Sequence, residues 1–146
     1  MIEVEGIVLN TISYGETSKI INVFTKDGII GMIAKGAKTL KSSLRSTTDK
    51  LTYGIFQIYY KQDKLSTLVS VDITNNFKNI KKSIEKISYA SYLLELSSQV
   101  YKQNNQKGIY SILIESLIKI DEGYNPMAIM NIVELKYLDF LGVMPV

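Results

Sequence analysis

Cysteine and histidine are both absent from the 146-residue sequence. Their absence excludes disulfide bonds, thiol nucleophiles, metal sites built from these residues, and the side chain that most often moves protons at neutral pH. Glu3 and Glu5 share a strand face, and serine and lysine are abundant, but neither kind of pair has a third group beside it to position a reaction. We therefore expect no enzymatic activity, no metal and no cofactor.

Long apolar runs are absent as well, since none reaches the roughly 18 residues that a membrane-spanning helix needs. The sequence begins in an alternating β pattern, without a basic segment followed by an apolar one. We therefore expect a cytoplasmic chain with no membrane association. The net charge is only +3, but residues 77–107 contain six positive and two negative side chains, whereas residues 108–146 contain two and five. The sequence thus predicts a basic middle and an acidic end.

The first half of the sequence has the two-residue period of β-strands. The predicted strands are residues 3–12, 19–25, 28–35, 51–60 and 65–73. Asp27-Gly28 supplies the positive φ that the turn before the third strand requires. Five short strands, with Gly6, Gly31 and Gly54 inside them where a closed sheet must bend, favour an OB-type barrel over residues 1–76. A five-stranded SH3-like barrel is the alternative.

From Phe77 onward the apolar period changes to that of a helix. The pattern predicts one helix of about 25 residues with Ile84 and Ile87 on its apolar stripe, then a second helix that ends at Gly123. Asn125 and Pro126 begin a third helix, which Gly142 and Pro145 end. We expect these helices to form a bundle over residues 77–146, so that the fold class is α+β in two domains.

A basic loop, defined here as residues 35–50, separates the third and fourth predicted strands. It contains five positive side chains against the single carboxylate of Asp49, interspersed with serine and threonine: Lys35, Lys38, Lys41, Arg45 and Lys50. Such a segment can neutralise several phosphates and donate hydroxyl hydrogen bonds to their oxygens. A solvated, flexible connection is the alternative. Residues 31–39, which overlap the start of this loop, are a near-match to a nucleotide-binding P-loop, but Ala37 stands where that motif requires lysine and no helical pattern follows.

Aromatic side chains accompany this charge. Tyr14 is placed in the first predicted loop, where it is a candidate for stacking on a base. On the fourth strand Tyr53 shares a face with Tyr59, and Phe56 shares the other with Tyr60, so one pair can stack while the other fills the core. For any single one of these aromatics, core packing is the favoured interpretation.

A second group of positive side chains opens the first helix, namely Lys78, Lys81, Lys82 and Lys86. It can extend the cationic surface, receive an acidic peptide, or be an ordinary solvated helix face. The sequence leaves these three interpretations open.

Read from end to end, the sequence resembles the RecO family of bacterial recombination mediators. The matching stretches are residues 5–9 (EGIVL), 14–20 (YGETSKI), 23–28 (VFTKDG), 33–38 (IAKGAK), 41–42 (KS), 51–54 (LTYG), 88–96 (SYASYLLEL) and 134–142 (ELKYLDFLG). The order and spacing of these stretches over nearly the whole chain carry the resemblance.

The resemblance implies an N-terminal OB domain followed by helices, no enzymatic activity, and a nucleoid-associated role in DNA repair and recombination. It further implies binding and annealing of single- and double-stranded DNA, and help in loading RecA onto strands covered by single-strand-binding protein. The implied partners are RecR, RecA and the acidic tail of single-strand-binding protein. No tail-binding residue maps onto this sequence by motif.

One departure from the family pattern concerns zinc. Many RecO-like proteins carry a four-cysteine zinc module shortly after the leucine-glycine that corresponds to Leu141-Gly142. This sequence has no cysteine, so we expect either a fragment or a naturally short protein.

The predicted function is therefore that of a non-catalytic, DNA-binding mediator. Its predicted DNA-binding residues are Tyr14, Lys19, Lys35, Lys38, Lys41, Arg45 and Lys50. A protein-interaction scaffold with little direct nucleic-acid contact is the first alternative. An enzyme built on carboxylates or a serine-lysine pair is the second.

Overall fold

A computed structural model describes residues 1–142 of the chain. The chain divides into two compact units, the first running from Met1 to Asn76 and the second beginning at Phe77. The first unit contains the strands and the second contains the helices, and each buries its own set of apolar side chains. The α+β fold predicted from the sequence is therefore confirmed.

Five strands form the first unit. They are β1 (Ile2–Tyr14), β2 (Ser18–Thr25), β3 (Gly28–Ala34), β4 (Tyr53–Tyr59) and β5 (Ser66–Asn75). They close into a barrel in the order β1-β2-β3-β5-β4, with β1 pairing with both β2 and β4. All neighbours are antiparallel except β3 and β5, which pair in parallel through Met32 and Ile33. This is the OB topology, so the SH3-like alternative is wrong.

Strand β1 is long because it serves two neighbours in turn. Its first half pairs with β4 and its second half with β2, and the register shifts between Val8 and Asn10. At the crossing, four consecutive residues from Gly6 to Leu9 are buried, so both faces of the strand are covered there. The prediction that β1 ends near Ile12 was wrong by two residues, and Tyr14 lies in the strand, paired with Ser18.

A pair of glycines closes the barrel where β1 meets β4. Gly6 lies directly opposite Gly54. A Cβ atom on Gly54 would lie 2.1 Å from the carbonyl oxygen of Asp72, and one on Gly6 would lie 2.5 Å from Cγ1 of Val23. Only glycine permits so close an approach between strands, as the sequence pattern suggested.

Four helices form the second unit within the described residues. They are α1 (Lys78–Lys81), α2 (Ile84–Gln103), α3 (Gly108–Asp121) and α4 (Pro126–Phe140). No helix in this part of the chain has both the length and the apolar character that crossing a membrane would require.

The single 25-residue helix predicted from Phe77 is wrong. Ser83 adopts an extended conformation, with φ −125° and ψ 120°, and its side chain accepts a hydrogen bond from the backbone N–H of Lys86. Ser83 therefore interrupts the helical run and caps α2, while α1 ends before it with Lys82 as its C-cap. The helix α2 buries one stripe in its second half, whereas Ile84 of the predicted stripe is 87% exposed. The buried residues are Ala90, Leu93, Leu94, Ser97 and Val100.

The start of α4 agrees with the sequence prediction. The side chain of Asn125 accepts a hydrogen bond from the backbone N–H of Ala128, and Pro126 occupies the first turn. Gly123, with φ +107°, follows α3, and Gly142, with φ +76°, follows α4. Pro145, the other predicted helix-ending residue, lies outside the described residues.

Candidate nucleic-acid interface

The basic loop is folded through a succession of tight turns. In each turn a backbone N–H group donates a hydrogen bond to the carbonyl oxygen three residues earlier. The pairs are Ala37 to Ala34, Thr39 to Gly36, Ser42 to Thr39 and Arg45 to Ser42. After the loop the chain rejoins the barrel, where Leu51 N–H donates to Val8 O at 3.0 Å and Val8 N–H donates to Thr52 O at 2.9 Å.

Three side chains of the loop are buried. Ala37 and Leu44 belong to the barrel core together with Met32 and Ile21. Thr48 is fully buried, and its hydroxyl donates to the carbonyl oxygen of Leu44 at 2.6 Å. These buried side chains anchor the segment to the barrel, which disfavours its interpretation as a flexible connection, because buried apolar contacts oppose local opening.

The first part of the loop is bound to the turn between β1 and β2. The backbone N–H of Lys38 donates to Thr17 O at 2.8 Å, and the N–H of Gly36 donates to the hydroxyl of Ser18 at 3.2 Å. The ammonium of Lys38 donates to Gly15 O at 3.3 Å. Lys38 thereby lies at the end of β1 that carries Tyr14.

Lys19 of β2 holds the second part of the loop. Its ammonium donates to Arg45 O at 3.0 Å, to the Thr48 hydroxyl at 3.1 Å and to Asp49 Oδ1 at 3.4 Å. The Lys19 side chain is only 14% exposed. Lys19 was predicted to bind a phosphate, but its ammonium group is directed into the folded loop.

A surface depression gathers three of the predicted cationic side chains. Its lining residues are Lys19, Lys38, Leu40, Ser42, Arg45, Ser46 and Asp49. Lys35, Lys41 and Lys50 do not line it, but all three are exposed on the same loop. Among the described residues, the side chains of Lys35, Lys41, Arg45 and Lys50 make no hydrogen bond or ion pair, so these charges remain available to a ligand.

The aromatic residues are distributed differently from the prediction. Tyr14 is 54% exposed, as a stacking residue should be. On β4 and just beyond it, Phe56 and Tyr53 are buried whereas Tyr59 and Tyr60 are each 54% exposed. Each predicted pair therefore contains one buried and one exposed ring, because side chains on both faces are buried near the start of the strand and exposed at and just beyond its end.

Tyr53 has its own polar partner in the barrel. Burial raises the pKa of its hydroxyl, and the charge of the Glu5 carboxylate and a hydrogen bond to it raise that pKa further. Glu5 is thus a structural partner of a tyrosine, which removes it from the carboxylate pair considered from the sequence.

An apolar row crosses the outer face of the barrel, and the sequence analysis missed it. Successive strand registers place its members side by side: Ile12 opposite Ile20, Ile20 opposite Ile33, Ile33 opposite Thr67, and Thr67 opposite Tyr59. Ile12 is 59% and Tyr59 is 54% exposed, and the three between them are half-buried. The alternation within each strand was visible in the sequence, but the registers that align the strands were not.

The lysines at the start of the helical unit remain on its surface. Lys78, Lys81 and Lys82 are exposed and Lys86 is half-buried. The exposed Ile84 lies among them, so an apolar side chain accompanies the positive charge. These positions fit all three interpretations of the lysines that the sequence leaves open, since a single exposed apolar residue is common on protein surfaces.

A closed five-stranded barrel of this topology that carries a cationic loop and is followed by helices defines an OB-fold protein. Family comparison matches residues 1–77 to "Recombination protein O N terminal" and residues 81–146 to "Recombination protein O C terminal". The chain therefore belongs to the RecO family, as its resemblance indicated.

Individual relatives agree with this assignment. Proteins named DNA repair protein RecO from Listeria welshimeri and Halalkalibacterium halodurans are 36% and 32% identical to it over 143 residues. One from Exiguobacterium sibiricum is 33% identical over the same length. Each alignment covers 97% of this chain but only 56% or 57% of the relative, so the chain spans little more than half their length.

Proposed function

We propose that this chain is a non-catalytic DNA-repair mediator that holds DNA strands on the barrel surface around the basic loop. The observation that carries the proposal is the loop itself, a folded segment that presents Lys35, Lys38, Lys41, Arg45 and Lys50 beside an exposed sheet face. Fixed cations bind phosphates without the entropic cost of ordering a flexible segment.

The apolar row supplies the second half of the proposed site. Phosphates contact the loop, while unstacked bases lie against Ile12, Ile20 and Tyr59 and against Tyr14 at the adjoining strand end. Aromatic rings favour base stacking without regard to sequence, which suits a protein that must bind any strand. A duplex hides its base faces, so this half of the site favours single strands.

The wider role follows from the relatives, which are named DNA repair protein RecO. By that likeness we propose that the chain anneals DNA strands and assists the loading of RecA onto strands covered by single-strand-binding protein. RecR and the tail of single-strand-binding protein are the proposed partners. No step in this role needs a chemical reaction on the DNA.

Charge reversal tests the phosphate contacts. In the first variant Lys38, Lys41 and Arg45 are changed to glutamate. In the matched control, three exposed lysines away from the loop, Lys26, Lys102 and Lys136, are changed in the same way. Binding of a labelled oligothymidylate is measured over a range of salt. Three lost phosphate contacts predict a fall of about 2 in the slope of log K against log salt and at least a roughly tenfold weaker affinity at low salt.

The control variant has the same net charge and is expected to keep the wild-type slope. Equal losses in both variants would show that only net charge matters and would remove the loop from the mechanism. The scaffold alternative predicts negligible DNA affinity for the unmodified chain. It draws its support from the exposed Ile84 among the lysines of the helical unit, a surface suited to an acidic peptide with an apolar residue.

A further inference from the structure

We infer that Lys19 is a positioning residue that fixes the second part of the basic loop, and that it does not contact DNA phosphates itself. The inference rests on the proposed function, since what Lys19 positions is the proposed DNA contact at Arg45. From its charge alone, Lys19 was predicted to be a phosphate ligand, and its contacts give it a different role.

The donors of the Lys19 ammonium are all engaged. An ammonium group has three N–H donors. In this structure the three acceptors are the carbonyl oxygen of Arg45, the hydroxyl of Thr48 and the carboxylate of Asp49. A phosphate could accept a hydrogen bond from Lys19 only by displacing one of these three acceptors. With 14% of its side chain exposed, Lys19 also has little surface to offer.

The hydrogen bonds of Lys19 continue into the barrel core. The Thr48 hydroxyl that accepts from Lys19 donates in turn to the carbonyl oxygen of Leu44, and Leu44 packs in the core. The chain of contacts therefore runs from β2 through a buried hydroxyl to the backbone that precedes Arg45. Removing the ammonium takes three hydrogen bonds from residues 45–49, and removing the hydroxyl takes one acceptor from a largely buried ammonium, which is costly.

The two parts of the loop have different anchors. The turn between β1 and β2 binds the first part at Gly36 and Lys38. Lys19 binds the second part at three points within residues 45–49. Loss of Lys19 should therefore loosen residues 44–49 and leave residues 36–39 in place. Arg45 would keep its charge but lose its fixed position.

Two variants separate positioning from phosphate contact. Lys19→Met keeps the length of the stem and removes the donors, and Thr48→Val removes the bridging hydroxyl without changing any charge. Lys41→Met is the matched control, because Lys41 is an exposed cation of the same loop. Hydrogen exchange of residues 36–49 is measured on the DNA-free proteins, and oligothymidylate binding is measured against salt.

Positioning predicts that Lys19→Met and Thr48→Val both raise amide exchange in residues 44–49 by about tenfold or more. Both should weaken DNA binding by about tenfold while the salt slope stays at the wild-type value, since no phosphate contact is removed. Lys41→Met should leave exchange unchanged and lower the slope by about 0.7, the value for one phosphate contact on a single strand.

The opposite pattern would overturn the inference. If Lys19→Met lowered the slope by about 0.7 without changing exchange, Lys19 would be a phosphate contact. If Lys19→Met failed to fold, Thr48→Val would decide the question, and wild-type exchange and affinity in that variant would refute the positioning role. Failure of the unmodified chain to bind DNA would instead refute the proposed function, and the exchange data would still report whether Lys19 orders the loop.

Discussion

At the scale of single residues, a buried pair of hydroxyls connects three helices. The hydroxyls of Ser97 on α2 and Tyr137 on α4 lie 2.6 Å apart, and Tyr137 also donates to the carbonyl oxygen of Ile109 on α3 at 3.4 Å. Since the Tyr137 proton is donated to Ile109, the hydroxyl of Ser97 is the donor in its hydrogen bond with Tyr137. Because both hydroxyls are buried, each needs a hydrogen-bond partner within the protein. The pair fixes how the helices of this unit meet.

Tyr137 makes the stability of the protein depend on pH in the alkaline range. Burial raises the pKa of Tyr137 to about 12, although the hydrogen bond from Ser97 lowers it in part. The unfolded chain, with a tyrosine pKa near 10, loses this proton first, so the free energy of unfolding is unaffected below pH 10 and falls as the pH rises toward 12. The contribution lost by pH 11 is about 1.4 kcal/mol.

The variant Tyr137→Phe isolates this contribution from the other titrating groups. Urea unfolding of the unmodified protein and of the variant is compared at pH 8 and pH 11. The advantage of the unmodified protein should shrink by about 1.4 kcal/mol at the higher pH. An advantage that stays constant between the two conditions would contradict the burial of this hydroxyl.

Single-residue roles were the hardest to predict from the sequence. Lys19 reads as an ordinary surface cation because its acceptors lie 26 to 30 positions away along the chain. Nothing local to Lys19 marks it as an anchor. The exposed Lys35, Lys41 and Lys50 were easier to interpret, since an unpaired lysine is almost never fully buried.

At the scale of elements, the strands followed from their period and the basic loop did not. Successive side chains of a strand point to opposite faces of the sheet, so a strand has a two-residue period that can be read from the sequence. The loop has no such period, but its apolar residues Ala37 and Leu44 become buried, and they were the available sign that it packs on the core. The break before α2 was missed because the apolar spacing of Ile80, Ile84 and Ile87 continues across Ser83 as if one helix ran through.

The apolar row gives a prediction at this scale. The double variant Ile12→Thr with Tyr59→Ser alters two of its exposed members, so the barrel core is left intact. Affinity for single-stranded DNA should fall about tenfold, because stacking on one aromatic side chain contributes about 1–3 kcal/mol. Affinity for a duplex of the same length, and the salt dependence of both, should not change.

Ile73→Thr is the control for the apolar row. Ile73 is also a half-exposed isoleucine of the barrel, 39% exposed, but it pairs with Gly54 and lies outside the row. Its substitution should leave both affinities unchanged. Equal losses for single strands and duplex in the double variant would mean that the row does not receive bases.

At the scale of the whole molecule, a two-part chain combines an OB barrel with a helical unit and belongs to the RecO family. The barrel topology could be predicted because five strands with internal glycines admit few closed arrangements. The helical unit was predicted as a bundle, but its short first helix depends on a contact that the sequence does not reveal. The carboxylate of Asp121 at the end of α3 accepts from the backbone N–H groups of Asn79 and Ile80.

The most direct test of the central claim is to map the DNA contact residue by residue. An oligothymidylate is titrated into the isotopically labelled protein, and backbone amide resonances are followed by NMR. We expect the largest shifts within residues 12–20 and 35–45, where the row adjoins the basic loop, with little change at Lys26, Asp27 and Gly28. Shifts confined to the helical unit, or to the turn at residues 26–28, would contradict the account.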